Sequence, residues 1–142
     1  MPGKNVKVKI SGTQISPEGE VTRTKTLADG TLFEKNGNMF LLYSEKDEDG
    51  VLTKTVVKYN KDKAKITRSG QITSTLTFEE KQHFRSSYIT PWGSFPVDID
   101  TDRYVLQEQA DGTFLSVRYD LAVEGEHCAR CIIEMEIEHH GD

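Results

Sequence analysis

Two charged residues fall where the alternation of the chain calls for apolar ones. Arg68 shares its parity with Ala64 and Ile66, and Glu45 shares its parity with Met39, Leu41 and Tyr43. An arginine turned inward needs a carboxylate or several carbonyls around it, and Glu45 is the obvious partner. Two chemistries fit this pair. Arg68 can anchor a ligand's carboxylate or phosphate, or the pair can be a structural plug. Tyr88, Thr90, Trp92 and Tyr119 offer an aromatic and hydroxyl lining for such a ligand. Packed on one another, the same residues make a core cluster with Trp92 as a lid. Acid–base work by Glu45 and Arg68 would further require a cleft with a perturbed carboxylate.

Other motifs point to less. Cys128-Ala129-Arg130-Cys131 has C-x-x-C spacing, but it opens a strand pattern rather than the helix whose N-terminus lowers a thiol pKa in redox enzymes. One buried Cys131 and one exposed Cys128 are expected. A metal site would need two further ligands, with only His83, His127, His139 and His140 on offer. No nucleophile elbow, phosphate loop or metalloprotease helix is present. Neither a catalytic residue, a metal site nor a cofactor is therefore assigned.

Bulk properties narrow the partners. The chain has 142 residues, a net charge of −5, 35% hydrophobic and 29% charged residues. That length suits a single domain over residues 1–142, with 138–142 as a solvated tail. An acidic chain without a concentrated basic block argues against nucleic acid and against an anionic membrane surface. No apolar run approaches the roughly 18 residues of a spanning helix. The N-terminus lacks a signal-peptide core, so the cytoplasm is the expected location.

The elements that must position these side chains are nearly all strands. Apolar residues recur with period two, and Gly, Asn and Asp punctuate at short intervals. Val6, Val8 and Ile10 share one face of the first strand. Asp29-Gly30 is either a turn or a bend within one long strand. Asn36-Gly37 is the strongest hairpin signal, since both residues accept the positive φ of a type I′ turn. Strand patterns continue over Asn38–Glu45, Val51–Tyr59, the Ala64–Arg68 and Ile72–Phe78 stretches, His83–Thr90, Phe95–Ile99, Arg103–Gln109, the Leu115–Leu121 stretch and Cys128–Glu138. Pro96 marks an edge, a bulge or a late strand start. In His83–Thr90 parity groups Phe84, Tyr88 and Thr90 against His83, Arg85, Ser87 and Ile89, leaving open which set faces inward. Thr90-Pro91-Trp92-Gly93 reads as a type I turn. The expected fold is all-β, an antiparallel meander of about 8–10 strands closed into a barrel. Closure removes two exposed edges and one large apolar face. A two-sheet sandwich is the rival.

Taken in order, Tyr43-Ser44-Glu45, Arg68-Ser69-Gly70, Tyr88-Ile89-Thr90-Pro91-Trp92-Gly93, Thr101 and Arg118-Tyr119-Asp120-Leu121 resemble the small bacterial YwiB-like proteins. That family of unknown function is assigned to the calycin-like (lipocalin-like) β-barrels. The resemblance spans essentially the whole chain, with Trp92 standing where the family's turn carries a Tyr. The lipocalin G-x-W is absent, so no lipocalin ligand carries over. The resemblance implies a barrel and brings no activity, cofactor or catalytic residue.

The leading functional expectation is a non-catalytic barrel binding a small, partly apolar or anionic molecule inside it or at its mouth. Tyr43, Glu45, Arg68, Tyr88, Thr90, Trp92 and Tyr119 would form the site. A solidly packed interior, with no hollow touching Arg68, would count against it. The alternative is a protein-interaction module or homodimer that uses a strand edge or an apolar patch around Pro96, the polar second strand and Phe40/Leu41.

Overall fold

The period-two pattern becomes ten strands in the computed structural model, which describes residues 3–139. They are β1 (Lys4–Ile15), β2 (Val21–Lys35), β3 (Asn38–Lys46), β4 (Leu52–Tyr59), β5 (Lys63–Ser69), β6 (Thr73–Glu79), β7 (His83–Thr90), β8 (Gly93–Gln109), β9 (Gly112–Val123) and β10 (Glu126–His139). Each pairs antiparallel with its sequence neighbours, and β1 closes on β10. The result is a closed ten-stranded meander, not a sandwich. It fits a calycin-like barrel.

Alternation sets the inside. Along β9, Thr113, Leu115, Val117, Tyr119 and Leu121 are buried while the residues between them are half-buried. Val6, Val8, Leu41, Val57, Phe78, Val97, Ile99, Met135 and Ile137 fill the centre. The interior is thus packed with side chains through its middle layers.

Of the two readings of Asp29-Gly30 the long strand holds, and the break expected between Ile99 and Arg103 does not occur. Asp29-Gly30 lies within the single strand β2, and Gly30 is buried opposite Tyr43. A Cβ on Gly30 would stand 3.0 Å from the Leu42 carbonyl oxygen, 3.1 Å from Leu41 Cδ1 and 3.2 Å from Val8 Cγ2. A side chain there would make each of these neighbours give by a few tenths of an ångström, which favours glycine in a strand where its propensity is poor. Gly30→Val is expected to destabilise by about 1–3 kcal/mol through overpacking. A lower urea midpoint at unchanged m-value would show it.

The second continuous strand is β8, which runs through Asp102 by a bulge between Thr101 and Arg103. Asp102 is the extra residue and meets Lys81, Arg118 and Arg130 at 3.0–3.2 Å. Lys81 and Arg118 hold its carboxyl below the ordinary range. Pairing of β8 to β9 begins only at Val97. Pro96 therefore lies where β8 has one strand neighbour, and its missing donor disrupts no ladder.

At the Asn36-Gly37 hairpin both residues take positive φ, 53° and 82°, as the I′ turn requires. Glu138 and His139, expected in a tail, continue β10 opposite Lys7 and Val6; residues 140–142 lie outside the described residues. Among the described residues no helix is long and apolar enough to cross a membrane.

Candidate site at the barrel mouth

Strand register brings most of the expected site together. Tyr43 stands opposite Thr55, Thr55 opposite Arg68, Arg68 opposite Ser74, Ser74 opposite Tyr88 and Tyr88 opposite Phe95. This is one row of inward residues across β3 to β8. Two residues on from Tyr43, Glu45 keeps the same parity and lies nearer the turns at one end. That end, the mouth, carries the five turns that lead from odd- to even-numbered strands.

Arg68 and Glu45 do pair, with Nη2 3.6 Å from Oε1. The Arg68 side chain is 50% exposed, so the guanidinium sits at the mouth rather than in the core. Glu45 also accepts a long hydrogen bond from the Thr26 hydroxyl, 3.4 Å. The parity left open for β7 is resolved. Phe84, Tyr88 and Thr90 are half-buried, while His83, Arg85, Ser87 and Ile89 are exposed. His83 Nε2 lies 2.9 Å from Asp98 on the outer wall.

The phenols nearby are held neutral. Burial pushes Tyr43 up to about 12 and raises Tyr88 and, further, Tyr119. Burial also raises the Cys131 thiol. These groups can donate or accept hydrogen bonds near neutral pH, but none is poised there as an anionic base or nucleophile. Tyr119 packs its ring on Phe78, with centroids 4.7 Å apart. It therefore forms the floor beneath the mouth.

Thr90 and Trp92 do not join this group. The Thr90 hydroxyl is taken up by its own turn, accepting from Trp92 N at 3.1 Å and donating to the Gly93 carbonyl at 2.9 Å. Trp92 is 83% exposed and covers neither core nor pocket. The tight two-residue turn of Pro91 and Trp92 projects the indole outward. The expected lid is therefore absent.

Sequence reasoning missed Thr26, Thr55 and Ser74. Thr55 and Ser74 were readable in principle, since they share parity with Val57 and Leu76. The Thr55 hydroxyl is buried and has no hydrogen-bond partner among the described residues. Thr26 had no such signal, because its place beside Glu45 depends on register. Of the C-x-x-C pair, Cys131 is buried and Cys128 exposed, and both are free thiols. Among the described residues no cluster of three or more His, Cys, Asp or Glu could hold a metal.

Two hollows lie elsewhere. One of about 760 Å³ runs along the outer wall over Lys7, Lys9, Leu27, Asp29, Phe114 and Glu136. It is crossed by the Lys7–Asp29 and Lys9–Glu136 ion pairs. Another of about 340 Å³ lies at the far end by Asn60 and Glu80. Neither touches Arg68.

Comparison with known proteins adds the fold's relatives. The crystal structure of the ywiB protein from Bacillus subtilis is similar, with a TM-score of 0.85 over 98% of this chain and 94% of that one. At 16% identity it supports the fold alone. No curated protein sequence matches. A family model does match, over residues 8–135, and the chain belongs to that family, described as a domain of unknown function (DUF1934).

Proposed function

We propose that this barrel works by binding rather than by catalysis, and that it takes a small, partly apolar molecule at its mouth with Arg68 as anchor. The packed interior, with neither hollow touching Arg68, counts against a ligand enclosed within the barrel and confines the reading to a shallow seat at the mouth. What supports the mouth is Arg68 itself. Its half-exposed guanidinium is only loosely held by Glu45, and the row it belongs to carries Tyr43, Thr55, Ser74 and Tyr88. A guanidinium has five donors, and a single contact at 3.6 Å leaves most of them for a ligand.

The surrounding charge limits the ligand. The turns at this end carry Glu18, Glu20, Asp47, Glu48, Asp49 and Glu124, all exposed, and no Lys or Arg. Such a field disfavours polyanions. A single carboxylate or carbonyl on an apolar body fits better. The apolar body would find company, because among the described residues six of the eight exposed large hydrophobic ones (Val21, Val51, Leu52, Ile72, Ile89 and Trp92) lie at or beside these turns.

Octanoate is a suitable probe. Chemical-shift mapping is expected to show Tyr43, Tyr88 and the Arg68 guanidinium responding. Arg68→Gln should weaken binding by roughly tenfold or more, as expected for loss of a charged hydrogen bond. Equal affinity in the variant, or a response confined to the outer-wall hollow, would refute the assignment. A second reading, an interaction module, is favoured by one observation. The first half of β2 has a strand neighbour on one side only.

A further inference from the structure

The polar second strand behaves differently along its length. Pairing of β2 with β1 runs from Val21 to Leu32, whereas pairing with β3 covers only Gly30 to Lys35. Continuing that β2–β3 register would set Lys46, the last residue of β3, opposite Leu27. Val21–Thr26 therefore rise past the end of β3, and Leu27–Asp29 diverge from it. Among the described residues, the β3-facing side of Val21–Asp29 has no strand partner. Residues 21–25, 27 and 29 are exposed, and Leu27 is 73% so. This is an exposed sheet edge, whose unpaired N–H and C=O groups are a template for another strand.

We propose that the Val21–Asp29 edge binds an extended segment of a partner protein as an added antiparallel strand. This deepens the interaction reading and does not depend on small-molecule binding at Arg68. Alternation specifies the segment. On the outer face β2 presents Val21, Arg23, Lys25 and Leu27; on the other face it presents Thr22, Thr24, Thr26 and Ala28. Neither Arg23 nor Lys25 forms an ion pair with the described residues, whereas Lys7 and Lys9 on the adjacent strand do. An antiparallel strand places its side chains directly opposite these. The matching segment carries an apolar residue opposite Leu27, carboxylates opposite Lys25 and Arg23, and an apolar residue opposite Val21. Small or β-branched residues between them face the threonines.

A second copy is a poorer occupant. When the two-fold axis is centred on Arg23, Thr24 or Lys25, it brings Arg23 or Lys25 of one copy against Arg23 or Lys25 of the other. Like charges directly opposite one another oppose pairing.

The test uses the full chain and a capped peptide whose core reads Val-Thr-Glu-Thr-Glu-Thr-Val. One control replaces both glutamates by lysine, and another scrambles the order. Backbone amides within Val21–Asp29 are expected to gain hydrogen-exchange protection with the first peptide alone. Arg23→Glu combined with Lys25→Glu should weaken that peptide by roughly tenfold or more and restore binding to the lysine peptide. Both changes lie on an exposed face, so the fold is expected to survive.

Four results would overturn the proposal. Equal binding of the lysine peptide to the unmodified chain would remove the charge match. Shifts at Trp92 and Ile89 without amide protection would keep the interaction reading and discard this edge. Absence of binding at millimolar peptide would discard both. Sedimentation showing a dimer that protects the same amides would reassign the edge to a second copy.

Discussion

Raising the pH above 10 is expected to unfold this protein cooperatively, well before its buried tyrosines would titrate in the intact fold. Burial pushes Tyr43 and Tyr59 from 10.0 up to about 12, and Tyr104 and Tyr119 higher still. All four are less than a tenth exposed. Between pH 10 and about 12 the unfolded chain releases these phenolic protons while the folded chain keeps them. The unfolded state then binds fewer protons, so stability falls as pH rises. It is fully present below pH 10. Each such phenol contributes about 1.4 kcal/mol per pH unit, so four remove about 5 kcal/mol per unit. Domains of this kind hold roughly 5–15 kcal/mol in all. Circular dichroism and tyrosinate absorbance should change together in one steep transition. Gradual tyrosinate formation near pH 10 with the strands intact would show that these phenols are not desolvated. At physiological pH Tyr43 and Tyr119 are neutral, as any phenol is there, and offer hydrogen-bonding groups beneath the mouth.

The fold was legible because its signals are local. Alternation at Leu115, Val117, Tyr119 and Leu121 needs only one strand to be read, and Asn36-Gly37 names its own turn. Glu124-Gly125 forms a turn with both φ angles positive, 53° and 83°. It was not legible, because glutamate carries no preference for that conformation. The continuity of β8 was hidden, and that of β2 left open, for a related reason. Gly30 and Asp102 are residues that usually stop strands, and each is tolerated here by a neighbour distant in sequence. Leu41 and Val8 leave little room for a side chain at Gly30, and Lys81, Arg118 and Arg130 receive the Asp102 carboxylate.

The site divides along the same line. The meeting of Arg68 and Glu45 followed from parity, since both point to the face of their apolar neighbours. Parity does not give height along the barrel axis. Strand register supplies that, and it puts Arg68 at a half-open mouth rather than in the core. Trp92 shows the limit most clearly. Its place in the chain, between Pro91 and Gly93, announced a tight turn. Whether the indole folds over the end or away from it depends on the lengths of neighbouring strands, which no local pattern carries.

Phe78 holds the floor of the mouth, and Phe78→Ala is expected to cost about 3–5 kcal/mol. Its ring is fully buried, opposite the small Ala64 on β5 and against Tyr119 on β9. The aromatic pair adds to the transfer term. The backbone around it offers little independent support. β6 meets β7 only at Thr73–Ile89 and Ser74–Tyr88, so the strands diverge from Thr75 to Glu79 on one side and His83 to Ser87 on the other. Side-chain packing, not a hydrogen-bonded ladder, fills that seam. Truncating Phe78 should therefore lower the urea midpoint and also speed amide exchange within β6 and β7 more than within β9 and β10. A loss below about 1 kcal/mol would mean that the seam closes onto the vacated space, since the cost of truncation grows with the cavity left behind. If it stays open, the variant gains a dry apolar cavity beneath Arg68, and benzene should stabilise it while leaving the unmodified chain unaffected. That contrast would also show what keeps ligands out of this barrel: its interior is closed by Phe78 and its neighbours, and only the mouth is left to bind.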